Sequence, residues 1–164
     1  MARRQPAGTP ALVALAKAGA PHTVHPYEHD PAAPSYGLEA AAALGVDPAR
    51  VFKTLLAEVD DLPVVAVVPV NGSLDLKALA RACGGKRARM MPVAAAERLT
   101  GYVAGGISPF GQRTASPTVV DDSAATHASV FVSAGRRGID VEVSPRDLAR
   151  LTDARTAAIA TGEG

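Results

Sequence analysis

The 164-residue chain contains no tryptophan, one cysteine, three phenylalanines and three tyrosines. A single cysteine cannot close an internal disulfide and cannot by itself make a zinc site, so nothing calls for an oxidising compartment. Long apolar runs are missing too. The longest, residues 62–70, is interrupted by Pro63 and Pro69 and falls far short of the ~20 residues a membrane-spanning helix needs. A soluble protein is expected. Arg3 and Arg4 give the N-terminus the charge of a signal peptide, but no apolar stretch follows, and the chain reads as cytoplasmic. Neither sign of charge dominates. Seventeen basic against sixteen acidic side chains leave a formal charge of +1, so a polyanion must be held by a local patch.

What is present is ordinary for a globular protein. Hydrophobic residues make up 48% and charged residues 20%, values that exclude disorder, collagen-like repeats and coiled coil. The length fits one domain able to bury roughly 70% of its extended-chain surface. The sequence shows no repeat, and the proline pair at 31 and 34 is too closely spaced for a linker. Residues 1–8 read as a loose leader and residues 9–160 as a single domain.

Punctuation residues place the elements. Thr9 and Pro10 start a helix that Gly19 ends, and Ser35 caps another that runs to Leu44 and stops at Gly45. Residues 22–29 read as a strand. Residues 52–59 and 63–70 pair as a hairpin about Asp60 and Asp61, the second strand being apolar enough for burial on both faces. Asp75 caps a helix over 76–83, residues 86–91 form a strand, and a helix over 92–100 ends at Gly101. Strands near 118–120, 129–133 and 139–143 follow, with a turn over 134–138. Ser144, Pro145 and Asp147 open a last helix to Leu151. Helices interspersed among hairpins, without steady βαβ alternation, predict an α+β protein: a mixed, barrel-like sheet surrounded by helices.

The segment from Gly101 to Gly111 concentrates glycines with Ser108 and Pro109 between regular elements. Such a loop can aim backbone N–H groups into one concavity as an anion nest, or it can simply be a long turn. Gly106 and Gly111 have the spacing of a phosphate loop, but Gln112 and Arg113 follow where Lys and Ser or Thr are required, which excludes one. Lys53 stands where a strand begins: either a solvated side chain or an ammonium facing a pocket. His22 and His25 point to opposite faces of a strand, and His25 lies ~13 Å from His29, so the three cannot chelate one ion and no metal site is expected. Cys83 reads as a small buried residue. Asp140 and Glu142 share a strand face, as an acid/base pair or as partners of arginines. Lys86, Arg87 and Arg89, with Arg136 and Arg137, are the dense basic clusters and the natural phosphate contacts for RNA.

Tyr27-Glu-His-Asp30, Val51-Phe-Lys-Thr-Leu-Leu56 and Gly101-Tyr-Val-Ala-Gly-Gly-Ile-Ser-Pro-Phe-Gly-Gln112, joined by Val132-Ser-Ala-Gly-Arg-Arg-Gly-Ile-Asp140, resemble the YbaK family of bacterial aminoacyl-tRNA deacylases, relatives of the editing domain of bacterial prolyl-tRNA synthetases. The resemblance implies a mixed barrel-like fold with outer helices. It implies trans-editing hydrolysis without a cofactor, most closely like the free-standing members that clear cysteine from tRNA(Pro), with prolyl-tRNA synthetase as partner. In such members the cysteinyl thiol attacks its own ester. The family's pocket falls here on Lys53 and Gly105 as catalytic positions, and on Tyr27, Tyr36, Thr54, Gly106, Ser133 and Asp140 as substrate-binding ones. At position 36 the related deacylases carry phenylalanine. Two alternatives stay open: a deacylase for alanyl or seryl groups, and a non-catalytic module that binds tRNA or nucleotide beside a synthetase.

Overall fold

The computed structural model describes residues 8–162; residues 1–7, nearly all of the expected leader, lie outside them. Its central sheet has the order β5-β2-β3-β6-β9, formed by β2 (Phe52–Val59), β3 (Leu62–Pro69), β5 (Ala88–Met90), β6 (Thr118–Asp121) and β9 (Arg155–Ala157). β2 and β3 pair antiparallel about the Asp60–Asp61 turn, whereas β6 runs parallel to both β3 and β9. Side chains of β3 are buried on both faces from Val64 onward, as its continuous apolar run requires.

A second sheet, β1-β8-β7, is antiparallel and joins β1 (Thr23–Pro26), β7 (Val130–Arg136) and β8 (Ile139–Val143). The main core fills the space between the sheets. Leu12 and Leu15 from α1 (Pro10–Ala18) meet Phe52 and Leu56 of β2, Val132 of β7, Val141 of β8 and Leu148 of α5 (Pro145–Thr152). Each such buried side chain contributes ~1.5–3 kcal/mol. A second cluster covers the other face of the central sheet with Leu79 of α3 (Leu76–Ala82) and Ile159.

The caps behave as their chemistry predicts. Thr9 accepts from the Leu12 amide and Ser35, before α2 (Tyr36–Leu44), from Leu38. Gly19, Gly45 and Gly101, the last closing α4 (Val93–Thr100), take left-handed φ values of 66°, 69° and 82°, which glycine adopts without strain.

Four sequence expectations need correction. The described strands form separate sheets and close no barrel: backbone pairing between β1-β8-β7 and the chain entering β2 is limited to an isolated Val51–Phe131 bridge, the sheets otherwise meeting through side chains. Two two-residue strands, β4 (Ser73–Leu74) and β10 (Ala160–Thr161), and β9 carry no alternation long enough to read. Strands expected over 22–29 and 86–91 shrink to four and three residues. The turn expected over 134–138 is narrower, because β7 continues to Arg136 through a bulge between Ser133 and Arg136.

Candidate functional site

β5 pairs only with the last three residues of β2, Ala57 to Val59, so the β2 edge at 52–55 stays open. A cavity of about 200 Å³ opens there. β2 supplies Lys53 and Thr54, β7 and β8 supply Ser133 and Asp140, and Tyr27 enters from the segment after β1. The cross-strand register sets Ser133 opposite Asp140. Tyr36 and Gly37 in the first turn of α2, and Gly105 in the glycine loop, complete the wall.

Lys53 is half-buried, and burial lowers its pKa from the usual lysine value. It forms no ion pair among the described residues. Thr54 is 8% exposed and its Oγ1 is buried without a hydrogen-bond partner. A buried hydroxyl left unpaired costs roughly 1–3 kcal/mol, and this one borders the cavity where a ligand group can satisfy it. Asp140 is 5% exposed, and desolvation pushes its carboxyl up to about 7. Burial, followed by the Asp140 charge, raises the Tyr27 phenol. No histidine or cysteine lines the cavity.

The loop is wired in place around Gly105. Ala104 donates its amide to Glu97, Gly106 donates to the Val103 carbonyl, and the Tyr102 hydroxyl donates to the Phe110 carbonyl. Gly105 itself has φ +87° and, among the described residues, no backbone partner for its N–H. A Cβ there would come within 2.6 Å of both Arg137 Nε and Tyr36 Cδ2.

Seven of the eight expected pocket residues therefore meet in one cavity. Gly106 does not: its N–H is spent on Val103 and it lines a different hollow. The basic clusters separate as well. Arg89 pairs with Glu58 and Asp61, while the amides of Lys86 and Arg87 hold Asp60. Arg137 instead reaches the glycine loop, its Nε and Nη2 donating to the Ala104 carbonyl at 2.9 and 2.5 Å, and its guanidinium sits 4.5 Å from the Tyr36 ring centroid. Lys53 is thus not the sole cation beside that loop. Two consecutive arginines look like surface in a sequence, and only the tertiary fold shows this one to be anchored. Of the two carboxylates on β8, Glu142 is absorbed by structure, bonding His25, Arg50 and Ser129. Phe52, Tyr102, Phe110 and Phe131 are core rings.

The raised Asp140 pKa has a stability consequence. The folded protein holds this proton to about pH 7, whereas an unfolded aspartate releases it near 3.9, so the contribution present at acid pH is lost as pH rises through 7. Asp140→Asn is expected to stabilise the protein above pH 7 by up to on the order of 4 kcal/mol and to leave it unchanged below pH ~4. Thermal melts across pH check this, and an Asn variant less stable at pH 8 overturns it.

A sheet pair carrying such a pocket, with a wired glycine loop facing a strand lysine, is the architecture of an aminoacyl-tRNA editing domain. The chain belongs to that family, matching it over residues 30–151. It is 41% identical over 124 residues, covering 75% of this chain and 76% of the relative, to a proposed Cys-tRNA(Pro)/Cys-tRNA(Cys) deacylase, EbsC, of Enterococcus faecalis. It is 26% identical over 114 residues, 70% of this chain and 73% of the relative, to the uncharacterized protein YwhH of Bacillus subtilis. Among solved structures, one described as a proposed trans-editing enzyme for prolyl-tRNA synthetase superposes with a TM-score of 0.84 at 25% identity, covering 98% of this chain and all of that one. No described helix is long and apolar enough to cross a membrane.

Proposed function

We propose that the protein is a trans-editing deacylase that hydrolyses cysteine from mischarged tRNA(Pro), the substrate's own thiol acting as nucleophile. The supporting observation is the lining of the cavity: a lysine, a free loop amide, an unpartnered threonine hydroxyl and a buried carboxyl converge, with neither cysteine nor histidine among them. An ester with a ribose leaving group needs orientation and oxyanion stabilisation more than a protein nucleophile.

In this reading Lys53 anchors the terminal adenosine or its phosphate. The Gly105 N–H receives the oxyanion that develops on the ester carbonyl. Thr54, Ser133 and Asp140 orient the aminoacyl group and the ribose hydroxyls, and Tyr27 and Tyr36 wall the pocket. The thiol sulfur forms a bond to the carbonyl carbon, the bond to the ribose oxygen breaks, and the thiol proton ends on that oxygen. Water then opens the thiolactone to free cysteine. Prolyl-tRNA synthetase supplies the choice of tRNA body, because this chain's net charge of +1 gives weak, salt-sensitive binding alone.

Gly105→Ala tests the loop. The added methyl meets Arg137 and Tyr36 at a backbone angle that suits glycine, displacing the amide, and a 10²- to 10³-fold fall in rate is expected, the roughly 2.7–4 kcal/mol that one oxyanion donor supplies. Single-turnover deacylation by the folded variant measures it; an unchanged rate returns the loop to a purely structural role. A panel of charged tRNAs tests the function as a whole. Cleavage confined to alanyl- or seryl-tRNA redirects the specificity, and binding without turnover identifies a silent module.

A further inference from the structure

On the outer side of the glycine loop lies a second hollow of about 350 Å³, lined by Val103, Gly106, Gly135, Arg136 and Arg137 among others. Arg137 stands between the two hollows: it lines this one, and its guanidinium packs on Tyr36, a wall of the first. Arg136 is exposed, and Arg113 sits at the rim beside Gly101. None of these three arginines forms an ion pair among the described residues. Glu97 of α4 faces the loop instead, its carboxylate accepting the Ala104 amide. Val103, 63% exposed, adds an apolar surface among the arginines.

We infer that this groove holds the single-stranded acceptor end of the tRNA, its phosphodiesters against Arg136 and Arg113 and a base against Val103, with Arg137 as the ridge the strand crosses on leaving the pocket. This rests on the reading of the pocket as the site of the aminoacylated terminal adenosine. Charge decides between the two basic clusters. Arg89 is tied to Glu58 and Asp61 by ion pairs, so that surface offers a polyanion paired acids as well as bases. Arg113, Arg136 and Arg137 form no ion pair with an acid among the described residues, and Arg137 borders the cavity through its contact with Tyr36. A phosphate chain is the ligand that uses spaced, unpaired guanidinium groups, because each contact releases condensed counterions.

The test compares substrates that share the ester and the terminal adenosine but differ in the nucleotides attached to them. Cysteinyl-tRNA extends past the terminal adenosine, whereas 3′-cysteinyl-adenosine does not. Arg136→Ala and Arg113→Ala are expected to lower kcat/KM on the tRNA, most at low salt, and to reduce the salt slope of log kcat/KM by about 0.7 per lost single-strand contact. Both variants leave cleavage of cysteinyl-adenosine unchanged, and Arg136→Lys restores most of the slope. Lys86→Ala with Arg87→Ala, the control pair, leaves the slope in place. Equal losses on both substrates, or none on either, overturn the groove.

A separate measurement keeps the groove distinguishable from the proposed activity. Fluorescence anisotropy of a 5′-labelled RNA hairpin ending in single-stranded CCA needs no turnover. Wild type is expected to bind it more tightly than a blunt hairpin, and Arg136→Ala to erase that preference. If cysteinyl-tRNA is not cleaved yet the preference holds, the activity assignment fails and the groove stands. If the preference is absent, the groove fails whatever the enzyme cleaves.

Discussion

Lys53→Ala is expected to remove nearly all deacylation, a fall of about 100-fold on the scale of losing the group that positions the substrate for reaction, while the protein stays folded. The ammonium lines the cavity without an ion pair among the described residues, and burial disfavours its charged form. A lysine held this way is a stability liability, so its removal leaves the melting temperature unchanged or slightly raised, as for other groups kept for function at the expense of stability. Arg137 cannot replace it, since its guanidinium is committed to the Ala104 carbonyl and the Tyr36 ring. Single-turnover rates with saturating enzyme, together with a thermal melt, separate the two effects. A folded variant with wild-type turnover overturns the role of Lys53, and an unfolded one shows that the ammonium has a structural duty.

The second large effect concerns the nucleophile. Cysteinyl-tRNA is expected to be cleaved far faster than seryl- or alanyl-tRNA on the same tRNA body. A pocket telling such similar small groups apart by contacts alone reaches only ~10–200-fold, so a ratio well beyond that measures chemistry by the substrate's thiol. The protein's own thiol is excluded by position. Cys83 closes α3 and lines a third hollow with Gly84, Gly85 and Arg155 that shares no residue with the pocket. Burial pushes its pKa up, away from the thiolate that attack requires. Cys83→Ala therefore retains full activity. Equal rates on the three substrates would rule out thiol assistance in favour of attack by water, and loss of activity in Cys83→Ala would place the nucleophile in the protein after all.

Tyr36 shows how far a resemblance carries. Its ring lines the cavity, and it is also the platform on which Arg137 lies and a neighbour of His29 at 5.8 Å between ring centroids. Its further partners come from segments 7 and 101 residues away, which no local pattern reveals.

By itself the sequence determined the elements whose signals are local. Thr9, Ser35, Asp75 and Ser144 cap the helices they precede, each accepting a backbone amide two or three residues into the helix. Gly19, Gly45 and Gly101 end helices because few other residues take those φ values cheaply. The β2–β3 hairpin follows from two apolar strands about a polar turn, and the motifs carried the family. The tertiary structure decided what depends on partners distant in the chain. It left the sheets unclosed, and it paired β9 and β10 into place through contacts that no alternation over two or three residues can encode. It set Gly105 inside the pocket and turned Gly106 out of it, since one peptide bond separates an amide that is free from one already bonded to Val103. It also sorted the arginines, pairing Arg89 with acids from β2 and its turn while leaving Arg136 without an ion pair among the described residues. Charge counted along a chain carries no information about which opposite charge lies within 4 Å, and that distance decides whether a cation remains available to a ligand.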